Sequence, residues 1–226
     1  MNSQSEFYVG YLPMPRGLKR VVRFVVGGLG VVVAGIAILL VFAQSPFAPA
    51  AFEFRDYRNF EGALLTKPYP ALAAPGELPW LLVGPGKHGV APPVADGRSV
   101  RLRGERIYRD GDRMIEVVPG SLQDAGPAIA VSEVALGAVR FTGEIVDSKC
   151  YFGVMNPGNG KVHRDCAARC ISGGIPPAFL VRDAAGRTQT LLLANWRREW
   201  LDHIAEPITI RGRLARSSGK LVLYAE

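Results

Sequence analysis

The sequence predicts a mainly β protein in which one membrane-spanning helix is followed by one small barrel module used twice. Three observations carry this. Twenty uncharged residues run from Phe24 to Ala43, FVVGGLGVVVAGIAILLVFA, and at about 1.5 Å per residue they reach roughly 30 Å, the thickness of a bilayer's hydrocarbon core. Beyond them, short apolar runs alternate with Gly and Pro, the punctuation of strands and turns. The runs also recur, with Val100-Arg101-Leu102-Arg103-Gly104 answered by Ile208-Thr209-Ile210-Arg211-Gly212.

The helix comes first. Its N-terminal flank holds four basic residues, Arg16, Lys19, Arg20 and Arg23, against the single acid Glu6. The positive-inside bias then places residues 1–23 in the cytoplasm and the bulk of the chain across the membrane, in the periplasm of a bacterium. A cleavable signal is the rival, with Ala48-Pro49-Ala50 as its small-residue site. The apolar run is longer than the usual ~7–15-residue signal core, and Pro49 suits a cut poorly, so an uncleaved inner-membrane anchor over 24–43 is expected. Of the net charge of +7, the flank accounts for +3, leaving 23 basic against 19 acidic residues downstream. That is an ordinary solvated surface, and no nucleic-acid partner is expected.

After a Pro/Ala linker at 44–51, a first domain is expected at 52–126 and a second at 127–226. Phe60-Glu61-Gly62-Ala63-Leu64-Leu65 matches Phe141-Thr142-Gly143-Glu144-Ile145-Val146, and Trp80 to Val83 matches Ala178 to Val181. Asp110-Gly111 and Ser218-Gly219 each join two alternating runs, which is a hairpin signal. In the second copy, strands are expected at about 138–146, 178–182, 188–193, 208–214 and 220–225. A helix at about 196–205, capped by Asn195 and ended by Pro207, lies between the third and fourth. Three strands, a helix and two strands is the order of the OB-fold, a five-stranded Greek-key barrel, and both copies resemble that class. The first lacks the helix and carries Gly and Pro from Gly84 to Pro93 instead.

The second copy is longer between its first two strands by about the length of a Cys/His-bearing insertion, residues 148–176. This segment holds Cys150, Cys166 and Cys170, all the cysteines of the chain, with His163. The Gly, Pro and Asn cluster from Gly153 to Gly160 reads as a loop, and Val162 to Ile171 as a helix stopped by Gly173 and Gly174. On such a helix His163, Cys166 and Cys170 fall at i, i+3 and i+7, within roughly a 60° arc. Cys150, at the end of a strand-like run, would join them by way of the loop.

Three readings of the segment stay open. As a metal site, Cys150, His163, Cys166 and Cys170 form a Cys₃His set for zinc or copper(I), with Met155 as a further soft donor. In an oxidising compartment they allow one disulfide from Cys150 to a helical cysteine, with one thiol left over. As a thiol oxidoreductase, His163 would lower the pKa of Cys166, though no orienting acid or oxyanion donors stand out. The C-x-x-x-C spacing of Cys166 and Cys170 matches that of Sco-type copper factors and of the CuA domain. The Pro of the first and the His of the second are missing after Cys170.

Elsewhere, His88 sits in the glycine-rich GPGKHGV, where Gly84, Gly86 and Gly89 permit close approach to the backbone. His203 would complement a helix end, and Arg101, Arg103, Arg106 and Arg109 would form a solvated or partner-facing stripe. Asp147-Ser148-Lys149 sets polar groups beside Cys150. The run K-C-Y-F-G to G-G-I-P-P, within residues 143–181, resembles uncharacterised bacterial inner-membrane-anchored periplasmic proteins associated with electron-transfer systems. That resemblance carries no assigned mechanism; a binding or accessory role beside other membrane proteins of a redox complex is expected, with no catalytic residue assigned.

Overall fold

The computed structural model describes residues 13–44, 50–74, 76–128 and 133–226. Most of the linker and the Ala48-Pro49 pair lie outside them, as do residues 1–12 of the N-terminal segment. The chain divides into two units, Met1–Pro46 and Phe47–Glu226.

The first unit is the helix α1, Arg16–Ala43, 28 residues long with none buried. It begins directly after Pro15, whose ring fixes φ and which has no N–H to lose at a helix start. The helix is long and apolar enough to cross a membrane. It takes in the basic flank as well as the apolar run.

The second unit contains both barrels. The first comprises β1 (Ala50–Phe52), β2 (Arg58–Leu65), β3 (Ala71–Ala73), β4 (Trp80–Val83), β5 (Arg98–Arg109), β6 (Asp112–Val117) and β7 (Gln123–Ala128). Five of these close in the circuit β2-β3-β4-β6-β5, with β4 and β6 parallel, while β1 and β7 pair onto the long β5. The second comprises β8 (Glu133–Asp147), β9 (Pro177–Arg182), β10 (Thr188–Ala194), β11 (Pro207–Ser217) and β12 (Lys220–Ala225). It closes as β8-β9-β10-β12-β11, with β10 and β12 parallel. The order and the one parallel pair are the same in both, so the repeat in the sequence is a repeat in space. The two hairpins anticipated at Asp110-Gly111 and Ser218-Gly219 are present as two-residue turns, with Asp110 at φ 51° and Ser218 at φ 46°. Gly212 shows why the V/I-x-L/I-x-G pattern ends on glycine. A Cβ there would lie 2.1 Å from the carbonyl oxygen of Tyr224 on the neighbouring strand.

The expected helix at 196–205 is a short 3₁₀ turn, Arg198–His203. Asn195 stands at φ 58° and gives its amide Nδ2 to the carbonyl of Ala225, 3.2 Å away, so it caps no helix. Ala205 at φ 64° then redirects the chain before Pro207. Trp200 anchors the turn in the core, edge-on to Trp196. His203 ends this turn, where no α-helix dipole builds up. The equivalent stretch of the first barrel has no helix.

Each barrel has its own core, and a third apolar cluster joins them. Leu64, Leu72, Leu82, Val100 and Ile115 fill the first barrel. Ile145, Phe179, Leu193, Ile210 and Leu223 fill the second, closed by Ala167 and Ile171 of the insertion. The shared cluster sets Val83, Ile107 and Met114 against Val146, Phe152, Ile175 and Val222. Each such side chain, fully buried, contributes on the order of 1.5–3 kcal/mol, so the seam is a core in its own right. Cys150 and Cys170 belong to it.

Candidate thiol and metal site

The insertion begins where β8 ends. Asp147, fully buried, accepts a hydrogen bond from the backbone N–H of Cys150 through Oδ1 at 2.8 Å, which turns the chain into the π-helical turn Cys150–Val154. Gly158 lets the loop return over this turn, since a Cβ there would meet the Cα of Tyr151 at 2.5 Å. A 3₁₀ turn, Lys161–His163, leads into α2, Arg164–Ser172. Cys166 and Cys170 lie one turn apart on α2, as the spacing predicts. The helix ends at Gly173, and Gly174 at φ 97° lets the N–H of Ile175 reach the carbonyl of Cys170 at 3.0 Å. Glycine is favoured there because a left-handed residue must satisfy the last carbonyls.

The three sulfur atoms lie within 4.8 Å of one another, with Cys150 and Cys170 buried and Cys166 half-buried; all three are free. His163 lies close to Cys150 but does not complete a single group with all three. It stands at the position just before α2, outside the helix that carries the cysteines, and its Nε2 lies 2.8 Å from Asp147 Oδ2 in a pair that is almost wholly buried. The four residues expected as one set thus divide into two groups that share Cys150: Cys150, Cys166 and Cys170, and Asp147, Cys150 and His163. Met155 stands partly exposed at the end of the π-helical turn.

The first barrel completes the site with a residue that sequence spacing does not single out. Lys87, on the loop after β4, donates from Nζ to Cys166 Sγ at 2.8 Å and reaches Cys170 Sγ at 3.6 Å. Its neighbour His88 is exposed, so the loop's contribution to the site is its lysine. The glycines there do admit a close approach, but by the end of α2. The N–H of Gly89 donates to the carbonyl of Gly173 at 2.9 Å, and a Cβ on Gly173 would lie 2.0 Å from the carbonyl oxygen of Lys87. Lys149, 2% exposed, holds the loop from the other side, donating to the carbonyls of Gly84 at 2.9 Å and Gly86 at 2.7 Å while pairing with Glu116. The glycine-rich run GPGKHGV is the signal that marks this loop, but the lysine's partners are some 80 residues away, and only the packing of the two barrels joins them.

Charge at the site is unevenly held. Cys170 is brought down to about 7, mainly because it accepts a hydrogen bond from Cys150; burial and the Asp147 carboxylate oppose this, and the Lys87 ammonium assists. Cys150 is pushed well up by donating that bond and by its burial. The hydrogen bond to Cys166 raises Lys87 in turn. The arrangement thus favours ionisation at Cys170 over Cys150, with the Lys87 ammonium beside it. A tetrahedral or trigonal ion with metal–sulfur bonds of about 2.3 Å needs sulfurs about 3.8–4 Å apart, so a spacing within 4.8 Å is compatible with three thiolates closing on one ion.

The arginines of β5 form no stripe. Arg101 pairs with Glu61, Arg106 pairs with Glu53, Arg103 covers the ring of Tyr57, and Arg109 is buried. Successive strand residues face opposite sides, and the barrel's own acids and aromatics take up those that emerge. Comparison with protein-family models, with curated proteins and with solved structures finds no match for this chain.

Proposed function

We propose that this chain is a membrane-anchored accessory protein whose second barrel holds one soft metal ion on Cys150, Cys166 and Cys170, copper(I) in preference to zinc. The observation that carries it is the convergence of three sulfurs within 4.8 Å from a strand end and a helix. Three soft donors in one group suit trigonal copper(I), whereas zinc in a structural site takes four. Lys87 would neutralise the thiolates until the metal arrives and then swing out, since it lies on the exposed side of the group. Both barrels are read as OB-folds, supported by the shared strand order and the single parallel pair. Arg16, Lys19, Arg20 and Arg23 at the N-terminal side of α1 support a cytoplasmic N-terminus. On that reading α1 crosses a bacterial inner membrane, the barrels stand in the periplasm, and the partners are membrane proteins of a redox or metal-handling assembly.

A second reading, a thiol oxidoreductase, is favoured by the lowering of Cys170 to about 7 beside a lysine. The test is the intact mass of the full chain in a non-ionic detergent as purified without reductant, followed by metal analysis after loading with copper(I) under reducing conditions. The metal reading expects about one copper per chain, an all-sulfur X-ray absorption signature, and loss of the metal in Cys166→Ser. A chain that takes up no copper, with a mass short of the hydrogens of one disulfide, would overturn it and favour the redox reading.

A further inference from the structure

The geometry points to a second site, a cleft for an organic phosphate between the two hairpin turns, and it rests on none of the thiol chemistry. The cleft encloses roughly 540 Å³, within the usual range for small-molecule sites. Its walls include the Asp110-Gly111 turn of the first barrel and Gly219 of the equivalent turn in the second, so the internal repeat brings like turns face to face. Arg109 is 6% exposed and lines this cleft, yet its Nε and Nη2 have no hydrogen-bond partner among the described residues. Its guanidinium lies 4.3 Å over the ring of Tyr151. A cation–π contact offsets only part of the cost of burying an uncompensated charge. The deficit calls for an anion.

The rest of the wall agrees in sign. Lys220 and Asp112 neutralise each other. Arg216 lines the cleft and makes no ion pair among the described residues, leaving two guanidiniums against the lone carboxylate of Asp110. The guanidinium fork suits phosphate or carboxylate oxygens bidentately. The two oxygens of a carboxylate are taken up by one fork, whereas a tetrahedral phosphate has oxygens enough for both, which selects a phosphate. The volume leaves room for an organic remainder against Leu78 and Leu221. That phosphate belongs either to a soluble ester or to a lipid headgroup.

The test uses the full chain in a non-ionic detergent, titrated calorimetrically with inorganic phosphate and with glycerol 3-phosphate. Saturable binding of about one phosphate per chain is expected, weakened about tenfold or more in Arg109→Met by loss of a charge-assisted bidentate contact. Without phosphate, Arg109→Met is expected to melt no lower than wild type, because it relieves an unpaired charge. No saturable binding of either probe would overturn the proposal, as would binding that survives Arg109→Met unchanged. Should that variant fail to fold, Arg216→Gln at the exposed rim decides: severalfold weaker binding supports the site, and unaltered binding overturns it. Reconstitution in phosphatidylglycerol against phosphatidylcholine then separates the sources. Abolition of phosphate binding only in phosphatidylglycerol assigns the headgroup, and retention in both assigns a soluble ester.

Discussion

Replacing Gly173 by alanine tests the junction on which the thiol site depends. Gly173 has φ −82°, which any residue adopts, so the substitution carries no backbone strain and acts through space alone. The added Cβ would stand 2.0 Å from the carbonyl oxygen and 3.1 Å from the carbonyl carbon of Lys87. Both are backbone atoms, so either the loop after β4 lifts or the end of α2 moves. Overpacking of this kind costs about 1–3 kcal/mol, and the Gly89 to Gly173 hydrogen bond, lost with it, adds about 1 kcal/mol. A total of about 2–4 kcal/mol lowers the melting temperature by on the order of 10 °C for a domain of this size. Thermal unfolding by circular dichroism measures that. Ultraviolet titration of the thiolate measures the consequence at the site, because a displaced Lys87 no longer assists Cys170 and the midpoint should rise from about 7. A Gly173→Ala chain that melts and titrates as wild type does would show that the loop and the helix are not in contact.

Two further substitutions separate charge from packing. Lys87→Met should leave the melting temperature nearly unchanged, since Lys87 is exposed. A cation about 3.6 Å from the sulfur of Cys170 is worth about 1 kcal/mol at a watery dielectric, or somewhat under one pKa unit. Losing a positive charge disfavours the thiolate, so the titration moves to higher pH by about half to one unit; an unmoved midpoint would refute the contact. Lys149→Met strands Glu116 and the carbonyls of Gly84 and Gly86 without their buried partner. It should cost about 3–5 kcal/mol in denaturant unfolding, with part of that recovered in the Lys149→Met, Glu116→Gln double variant.

What is readable in the sequence is local or repeated. The apolar length of 24–43 is a property of one stretch and needs no neighbour to be seen. The duplicated strand pattern is legible because a barrel strand must alternate and must yield to its neighbour at a glycine, as at Gly212. The spacing of Cys166 and Cys170 likewise puts both on one side of a helix, whatever that helix packs against. The helix expected at 196–205 fails because Asn195 resembles a cap, while its amide is in fact taken by Ala225 at the end of the last strand. His163 departs from expectation for a similar reason: its spacing fits the cysteine face, but a buried carboxylate on another element, Asp147, claims its ring.

The tertiary structure alone decided who meets whom across the seam. Lys87 reaches the cysteines, Lys149 holds the loop that carries it, and Arg109 stands unpaired among the described residues between two turns that lie far apart in the chain. Sequence by itself determined the parts, because hydrophobic period, turn residues and helical spacing act over a few positions. It could not determine the site, because a thiolate's counter-ion and a buried arginine's missing partner depend on distances between barrels, and those exist only once the two cores have packed.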